Sequence, residues 1–227
     1  MTLKCLSTGS TANCYILKRD NGEMLILDAG LPINEIKKGI EFDVSNLKGA
    51  LITHGHGDHV LSAEKLKQFA PVWQPYLSEA KKQHTHFGDF DVICFDVPHN
   101  GVENRGFIIQ VDGQKICYLT DLEYCGYSLA SQNIDTMIVE CNYMKNLVPD
   151  DLPNITHKVL GHCELETTIG ILKDNLKSLR HVVLIHMGLN TLDREKAMER
   201  IREAIPGYVT VNWARANRNY DISPCPF

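Results

Sequence analysis

Residues 52–59 read ITHGHGDH and follow directly on the apolar residues Gly49, Ala50 and Leu51. A strand that simply ends needs a turn residue, whereas this one runs into three histidines and an aspartate. His54 and His56 are two apart, and Asp58 and His59 come next. On a loop leaving a strand, alternate side chains converge on one point while those between them face another, so this spacing suits two neighbouring metal ions. Imidazole together with carboxylate suits Zn²⁺ first, with Mn²⁺ or Fe²⁺ as alternatives. Gly55 and Gly57 are expected to give the loop the backbone freedom that such a turn needs.

Working outward, short apolar runs that end in Gly, Asp or Asn recur on both sides: LKCLS (3–7), NCYILK (13–18), EMLILDAG (23–30) and KGALITH (48–54). They read as neighbouring short strands. INEIKKGIEF (33–42) and VLSAEKLKQFA (60–70) carry helical spacing. More strands follow in FDVICFDVP (90–98), in RGFIIQVDGQKICYLTD (105–121), with Asp112-Gly113 at a hairpin turn, and in IDTMIVECN (134–142). Two helices, ELETTIGILKDNL (164–176) and REKAMERIREAI (194–205), then flank the strand HVVLIHMG (181–188). Two series of strands, each closed by helices, predict an α+β fold, an αββα four-layer sandwich. The absence of a Pro-, Gly- or Ser-rich linker predicts a single domain over residues 1–227. The tail from about 216, ANRNYDISPCPF, is expected to be flexible or to dock elsewhere.

The composition narrows the function. With a formal net charge of −5 and no Lys/Arg-rich block, a broad electrostatic grip on nucleic acid is disfavoured and a compact substrate favoured. No run approaches the roughly 18 apolar residues of a membrane span, and MTLKCLSTGS has no signal-peptide core, so a cytoplasmic protein without a membrane partner is expected. The 8 cysteines form no CxxC pairs and read as buried small hydrophobes rather than disulfides.

The run His54-x-His56-x-Asp58-His59 resembles the HxHxDH motif of the metallo-β-lactamase superfamily, and the resemblance extends over most of the chain. STGSTANCYIL (7–17) and LILDAG (25–30) look like the strand-turn segments that precede the motif in that family. The likeness implies that Asp28 orients a metal-binding histidine. VPHNGVENRGFII (97–109) resembles the ribonuclease Z-like segment whose histidine completes the first metal site, which adds His99 to His54 and His56. YLTDL (118–122) resembles the segment of the aspartate that bridges the metals, Asp121. VVLIHMG (182–188) resembles the last ligand segment and places His186 with Asp58 and His59. MIVECNYM (137–144) and GHCELETTIGIL (161–172) resemble the ribonuclease Z and phosphodiesterase segments that supply a glutamate and a histidine. Glu140 and His162 are the implied proton-handling pair, with Asp58 also counted in the catalytic set. Where the family has Ser-Thr after that histidine, this chain has Cys163-Glu164.

The resemblance thus implies a hydrolase with two divalent metal ions. A hydroxide between the metals attacks a phosphodiester in line, and His162, steadied by Glu140, protonates the leaving alkoxide. The expected substrate is a small nucleotide, such as a cyclic nucleotide, or a nucleic-acid end, because neither a protruding tRNA-binding arm nor a second domain finds room in the chain. Arg105, Arg215 and Arg218 are candidate phosphate contacts, and Tyr124, Tyr127, Tyr143 and Trp213 candidate base-stacking residues. Pairing of subunits in this branch makes a homodimer the expected assembly. Three rivals stand beside this reading. One is hydrolysis of a carboxylic ester, lactone, thioester or β-lactam, against which the Glu140 and His162 pair speaks. Another is a metal-binding regulatory protein, against which the full ligand set speaks. The third is a di-iron redox protein, which normally replaces one histidine by a carboxylate and has a flavin partner domain; His56 and the short chain speak against it.

Overall fold

The computed structural model describes residues 1–224. In chain order its regular elements begin with β1 (Thr2–Ser7), β2 (Cys14–Lys18), β3 (Met24–Leu27), α1 (Ile33–Gly39), β4 (Leu47–Leu51), α2 (Gly57–Val60), α3 (Ala63–Leu66) and β5 (Val72–Trp73). They continue with β6 (Lys82–Phe87), β7 (Phe90–Asp96), β8 (Arg105–Val111), β9 (Gln114–Leu119), β10 (Thr136–Glu140), α4 (Ile155–Gly161), α5 (Leu165–Lys173) and β11 (His181–Ile185). Last come α6 (Arg194–Ala204), β12 (Thr210–Trp213) and β13 (Arg218–Asp221). One sheet has the order β13-β1-β2-β3-β4-β5, the other β12-β11-β10-β9-β8-β7-β6.

The strands are apolar on both faces, and the period of two sorts their residues into separate cores. Tyr15 and Leu17 of β2 and Leu25 and Leu27 of β3 point inward, to meet Phe107, Tyr118, Ile138 and Val183 of the other sheet. Their neighbours Cys14, Ile16 and Ile26 point outward, to Ile36 of α1 and Ala63 and Leu66 of α3. On the second sheet Met137, Val139, Val182 and Leu184 face Ile169 and Leu172 of α5 and Ala197 and Ile201 of α6. The layers are therefore helix, sheet, sheet, helix, the sandwich that the strand and helix series predicted.

Two features depart from the reading of the sequence, the helix over 60–70 and Arg105, while the tail realises the docking alternative. Of the helix expected over 60–70 only α3 forms, with α2 ending at Val60. Ser62 lies between them, its N–H on the carbonyl of Ala29 and its hydroxyl on that of Leu31, which ties the break to the turn after β3. The segment Arg218–Asp221 of the tail is a strand that pairs antiparallel with β1, and residues 225–227 lie outside the described ones. Arg105 is no surface cation: its guanidinium is fully buried, 2.7 Å from Asp96 and 2.9 Å from Glu103, and it also donates to the carbonyl of Ser78. The seven cysteines of the described residues are free thiols, while Cys225 lies outside them. Among the described residues no helix is long and apolar enough to cross a membrane.

Candidate metal centre

The topology brings the polar strand ends to one edge of the sandwich. β3 and β4 are parallel, as are β9, β10 and β11, and β7 points the same way as β9 because each is antiparallel to β8. Asp28, His54, His99, Asp121, Glu140 and His186 each terminate or closely follow one of these strands. Asp28, Asp121 and His186 turn there with φ of 57°, 51° and 51°. Non-glycine residues seldom adopt this left-handed conformation, and it gathers at functional sites.

One wall of the site is built around Asp28. Its Oδ1 accepts from the Thr53 N–H at 2.8 Å, and its Oδ2 from the Tyr118 hydroxyl at 2.6 Å. Its Oδ2 also lies 2.8 Å from His59 Nδ1. A carboxylate only accepts, so His59 carries its proton on Nδ1 and turns Nε2 inward, 2.7 Å from Asp121 and 3.3 Å from Asp58. Thr53 gives its hydroxyl proton to Asp28, and its oxygen then accepts from His54 Nδ1 at 3.0 Å, which leaves His54 Nε2 bare. His99 donates from Nδ1 to the carbonyl of Gly161 at 2.7 Å, with the same result. His56 Nδ1 is 3.0 Å from His54 Nε2 and 3.3 Å from His99 Nε2, so nitrogens of three rings converge. Burial, reinforced by His59, pushes the pKa of His54 well down, and burial also lowers that of His99. Neutral imidazole is the form that binds a metal. Gly30 permits the close packing of this wall: a Cβ there would lie 1.6 Å from the carbonyl oxygen of Asp58.

The opposite wall is built around Glu140, which is fully buried. Its Oε1 is 2.8 Å from Nδ1 of both His186 and His162, and accepts from Asn142 Nδ2 at 2.9 Å. Its Oε2 accepts the N–H groups of Leu122 at 3.1 Å and Cys163 at 3.3 Å. Burial alone raises a carboxylic acid's pKa, but His162 and His186 more than offset it, and Glu140 is held below its ordinary range. For His162 the balance is reversed: burial lowers its pKa, yet Glu140 and Asp121 draw it up. Asp121, pushed up by burial, is pulled far below its ordinary range by His186 and His59.

Ligand atoms of His54, His56 and His99 lie within 4.8 Å of one another, as do those of Asp58, His59 and His186, and those of His54, His59 and Asp121. Asp121 thus lies between the two histidine sets. The donors fit divalent cations: His186 Nε2 is buried without a hydrogen-bond partner among the described residues, and ligand nitrogens of His54, His56 and His99 lie within 4.8 Å of one another.

Residues 7–111 match the model of the metallo-β-lactamase superfamily. Over those residues, just under half of the chain, the sequence is similar to that superfamily. Among its curated relatives, the exodeoxyribonuclease WalJ of Streptococcus pneumoniae is 25% identical over 80% of this chain and 86% of that protein. The hydroxyacylglutathione hydrolase GloC of Haemophilus influenzae is 32% identical, over 47% of this chain and 53% of that protein. Among solved structures, the metallo-β-lactamase-fold protein YhfI of Bacillus subtilis superposes with a TM-score of 0.72 at 15% identity, covering 97% of this chain and 99% of that one.

The run at 52–59 itself differs from its reading as a loop in two respects. Past His56 the backbone winds into α2, which carries Asp58 and His59. Gly55 and Gly57 are absent from the positive-φ residues, and a Cβ on Gly57 would meet open space, so neither supplies special backbone freedom. Of the proposed stacking residues, Tyr127 packs against Phe95, and Tyr143 is buried with its ring 5.8 Å from Lys158 Nζ. Tyr124 is half exposed, and the indole N–H of Trp213 is buried.

Several residues of the site were not singled out from the sequence. Thr53 and Tyr118 complete the Asp28 wall, and Asn142 joins Glu140 to the backbone carbonyl of His186 at 2.7 Å. Thr53, Tyr118 and Asn142 sit inside the motif segments themselves, which was the available signal. Lys158 of α4 donates to Asn142 Oδ1 and lines, with His157, His162 and His186, a cleft of about 300 Å³. Nothing in the local sequence marks that lysine.

Proposed function

We propose that this chain is a dinuclear metal-dependent phosphodiesterase that acts on nucleotide or nucleic-acid phosphodiesters. His54, His56 and His99 hold one divalent cation and Asp58, His59 and His186 the other, with Asp121 shared between them. The observation that carries this reading is the position of Asp121, whose carboxylate groups with His54 of one set and His59 of the other. Bound divalent cations supply charge neutralisation at a phosphoryl group and make water acidic enough to act as a nucleophile near neutral pH; Zn²⁺ suits the nitrogen-rich donors, with Mn²⁺ or Fe²⁺ as alternatives.

The chain's own residues divide the remaining work. Asp28 and Glu140 fix the rings of His59 and His186 by accepting from Nδ1, so that each Nε2 faces the cations. His162 is held by Glu140 through Nδ1 and lines the cleft, so its Nε2 is the atom that holds a proton for the departing alkoxide. Support for a phosphodiester over a carbonyl substrate comes from this second imidazole on Glu140, which acyl hydrolysis does not require, and from the exodeoxyribonuclease relative aligned over 80% of the chain. The shorter match to a hydroxyacylglutathione hydrolase favours a second reading, hydrolysis of a thioester at the same centre.

A side-by-side assay separates the two. With Mn²⁺ or Zn²⁺ supplied, the protein is expected to hydrolyse bis-p-nitrophenyl phosphate and a single-stranded oligodeoxynucleotide, and a chelator is expected to stop both reactions. Turnover of a hydroxyacyl thioester with neither diester cleaved would transfer the assignment to the thioester reading.

A further inference from the structure

The cleft beside His162 does not end at the centre. It meets a second cleft of about 310 Å³ at Ser10, Met187 and Leu189, which line both. The first contains Lys158, the second Arg194 and Arg215. In a chain with 28 acidic and 23 basic residues, no Asp or Glu among the described residues lines either cleft. None of the three cations has a carboxylate partner among the described residues, in contrast to Arg19, Arg105 and Arg200, which all do. Lys158 is half buried, and its single hydrogen-bond acceptor is the neutral Asn142 amide. Burial lowers its pKa while Glu140 opposes the change, so an anion above it would restore what the cleft withholds. Between the cationic ends stands Leu189, an apolar side chain 86% exposed.

Cations spaced along a groove with apolar surface between them are what a single nucleic-acid strand recognises: phosphates meet the charges and a base covers the apolar step. We propose that the surface running from Lys158 past Ser10 and Leu189 to Arg194 and Arg215 is the track of a single nucleic-acid strand, whose end is delivered to the metal centre. The inference rests on the phosphodiesterase reading and deepens it. Lys158 takes a phosphate oxygen next to the reacting group, and Arg194 with Arg215 takes a phosphate further along the strand. A cyclic mononucleotide has no second phosphate to place there, so the track selects strands over cyclic nucleotides. Beyond Arg194 and Arg215 the surface continues into a cleft that also holds Glu195, Glu199 and Glu203, so the track ends at the two arginines; up to there phosphate contacts are local and the overall negative charge is no obstacle.

The test uses the metal-loaded protein, its Arg194→Ala/Arg215→Ala double variant, and a fluorescent phosphorothioate oligodeoxynucleotide of about ten nucleotides. Both arginines are exposed, so folding is not at stake. Anisotropy titrations are expected to show affinity reduced about tenfold in the double variant, and the slope of log affinity against log salt reduced by roughly 0.7, one single-strand phosphate contact. The loss of kcat/KM on an unmodified strand should exceed that on bis-p-nitrophenyl phosphate by about fivefold or more. An unchanged affinity and salt slope, equal losses on the two substrates, or a cyclic mononucleotide that displaces the strand at lower concentration would each overturn the track. Salt-dependent strand binding that the double variant loses, with neither diester hydrolysed by the parent protein, would uphold the track and refute the phosphodiesterase reading.

Discussion

The two walls of the centre use one device for different ends. In each, a buried carboxylate at a strand end accepts from Nδ1 of a histidine and aims its Nε2 inward: Asp28 with His59, Glu140 with His186. The remaining partners differ. Asp28 spends its other lone pairs on Thr53 and Tyr118, inside the core, where nothing can exchange with solvent. Glu140 spends one on His162, which borders the cleft. A carboxylate closed off by hydroxyls can only hold geometry, whereas one that also holds a second imidazole at the cleft can store a proton next to the substrate. On the proposed mechanism, one wall is a support and the other a support joined to a proton donor.

The largest effect should come from removing the residue that joins the walls. Asp121→Ala is expected to lower phosphodiester hydrolysis by about 10³-fold or more while the circular dichroism spectrum and melting temperature stay close to those of the parent. Activity retained to within a few-fold would move the chemistry elsewhere. Next comes the proton donor itself: His162→Ala should slow cleavage of a strand, whose leaving group is a poor alkoxide, by about 10²-fold, and that of a nitrophenyl ester much less. Equal losses would leave the walls functionally alike. Glu140→Gln and Asp28→Asn sharpen the comparison directly. Each should weaken metal affinity by roughly 10–100-fold in competition with a chelator, because each unfixes an imidazole that faces the cations. With metal restored to saturation, only Glu140→Gln should still show the leaving-group dependence. The smallest change is Tyr118→Phe, which removes one donor from Asp28 and should cost about 1 kcal/mol in denaturant unfolding, with the chemistry preserved.

Much of this arrangement was legible in the chain. The crowded run at 52–59 announces a metal centre because four potential ligands at that spacing have no structural use in a strand end. The segments around His99, Asp121, Glu140, His162 and His186 stood out because each resembles a segment that carries a ligand or proton-handling residue in the metallo-β-lactamase superfamily. What escaped was fixed by contacts distant in sequence. Lys158 enters the cleft through the packing of α4 near Asn142. Arg105 looked like a phosphate contact, and only the fold reveals Asp96 and Glu103 already holding it in the interior. The pairing of β13 with β1 joins the two ends of the described chain, where no local pattern could fix the register. The Cys163-Glu164 departure from the family pattern also has a local cause: Glu164 caps α5 by accepting from the N–H groups of Glu166 and Thr167, and Cys163 packs in the core.

The central claim is that two histidine sets share Asp121 around a pair of cations, and metal stoichiometry tests it most directly. Protein purified without chelator, equilibrated with Zn²⁺ or Mn²⁺ and freed of excess ion, should contain close to two metal ions per chain by elemental analysis. One ion per chain, or none, would contradict the account.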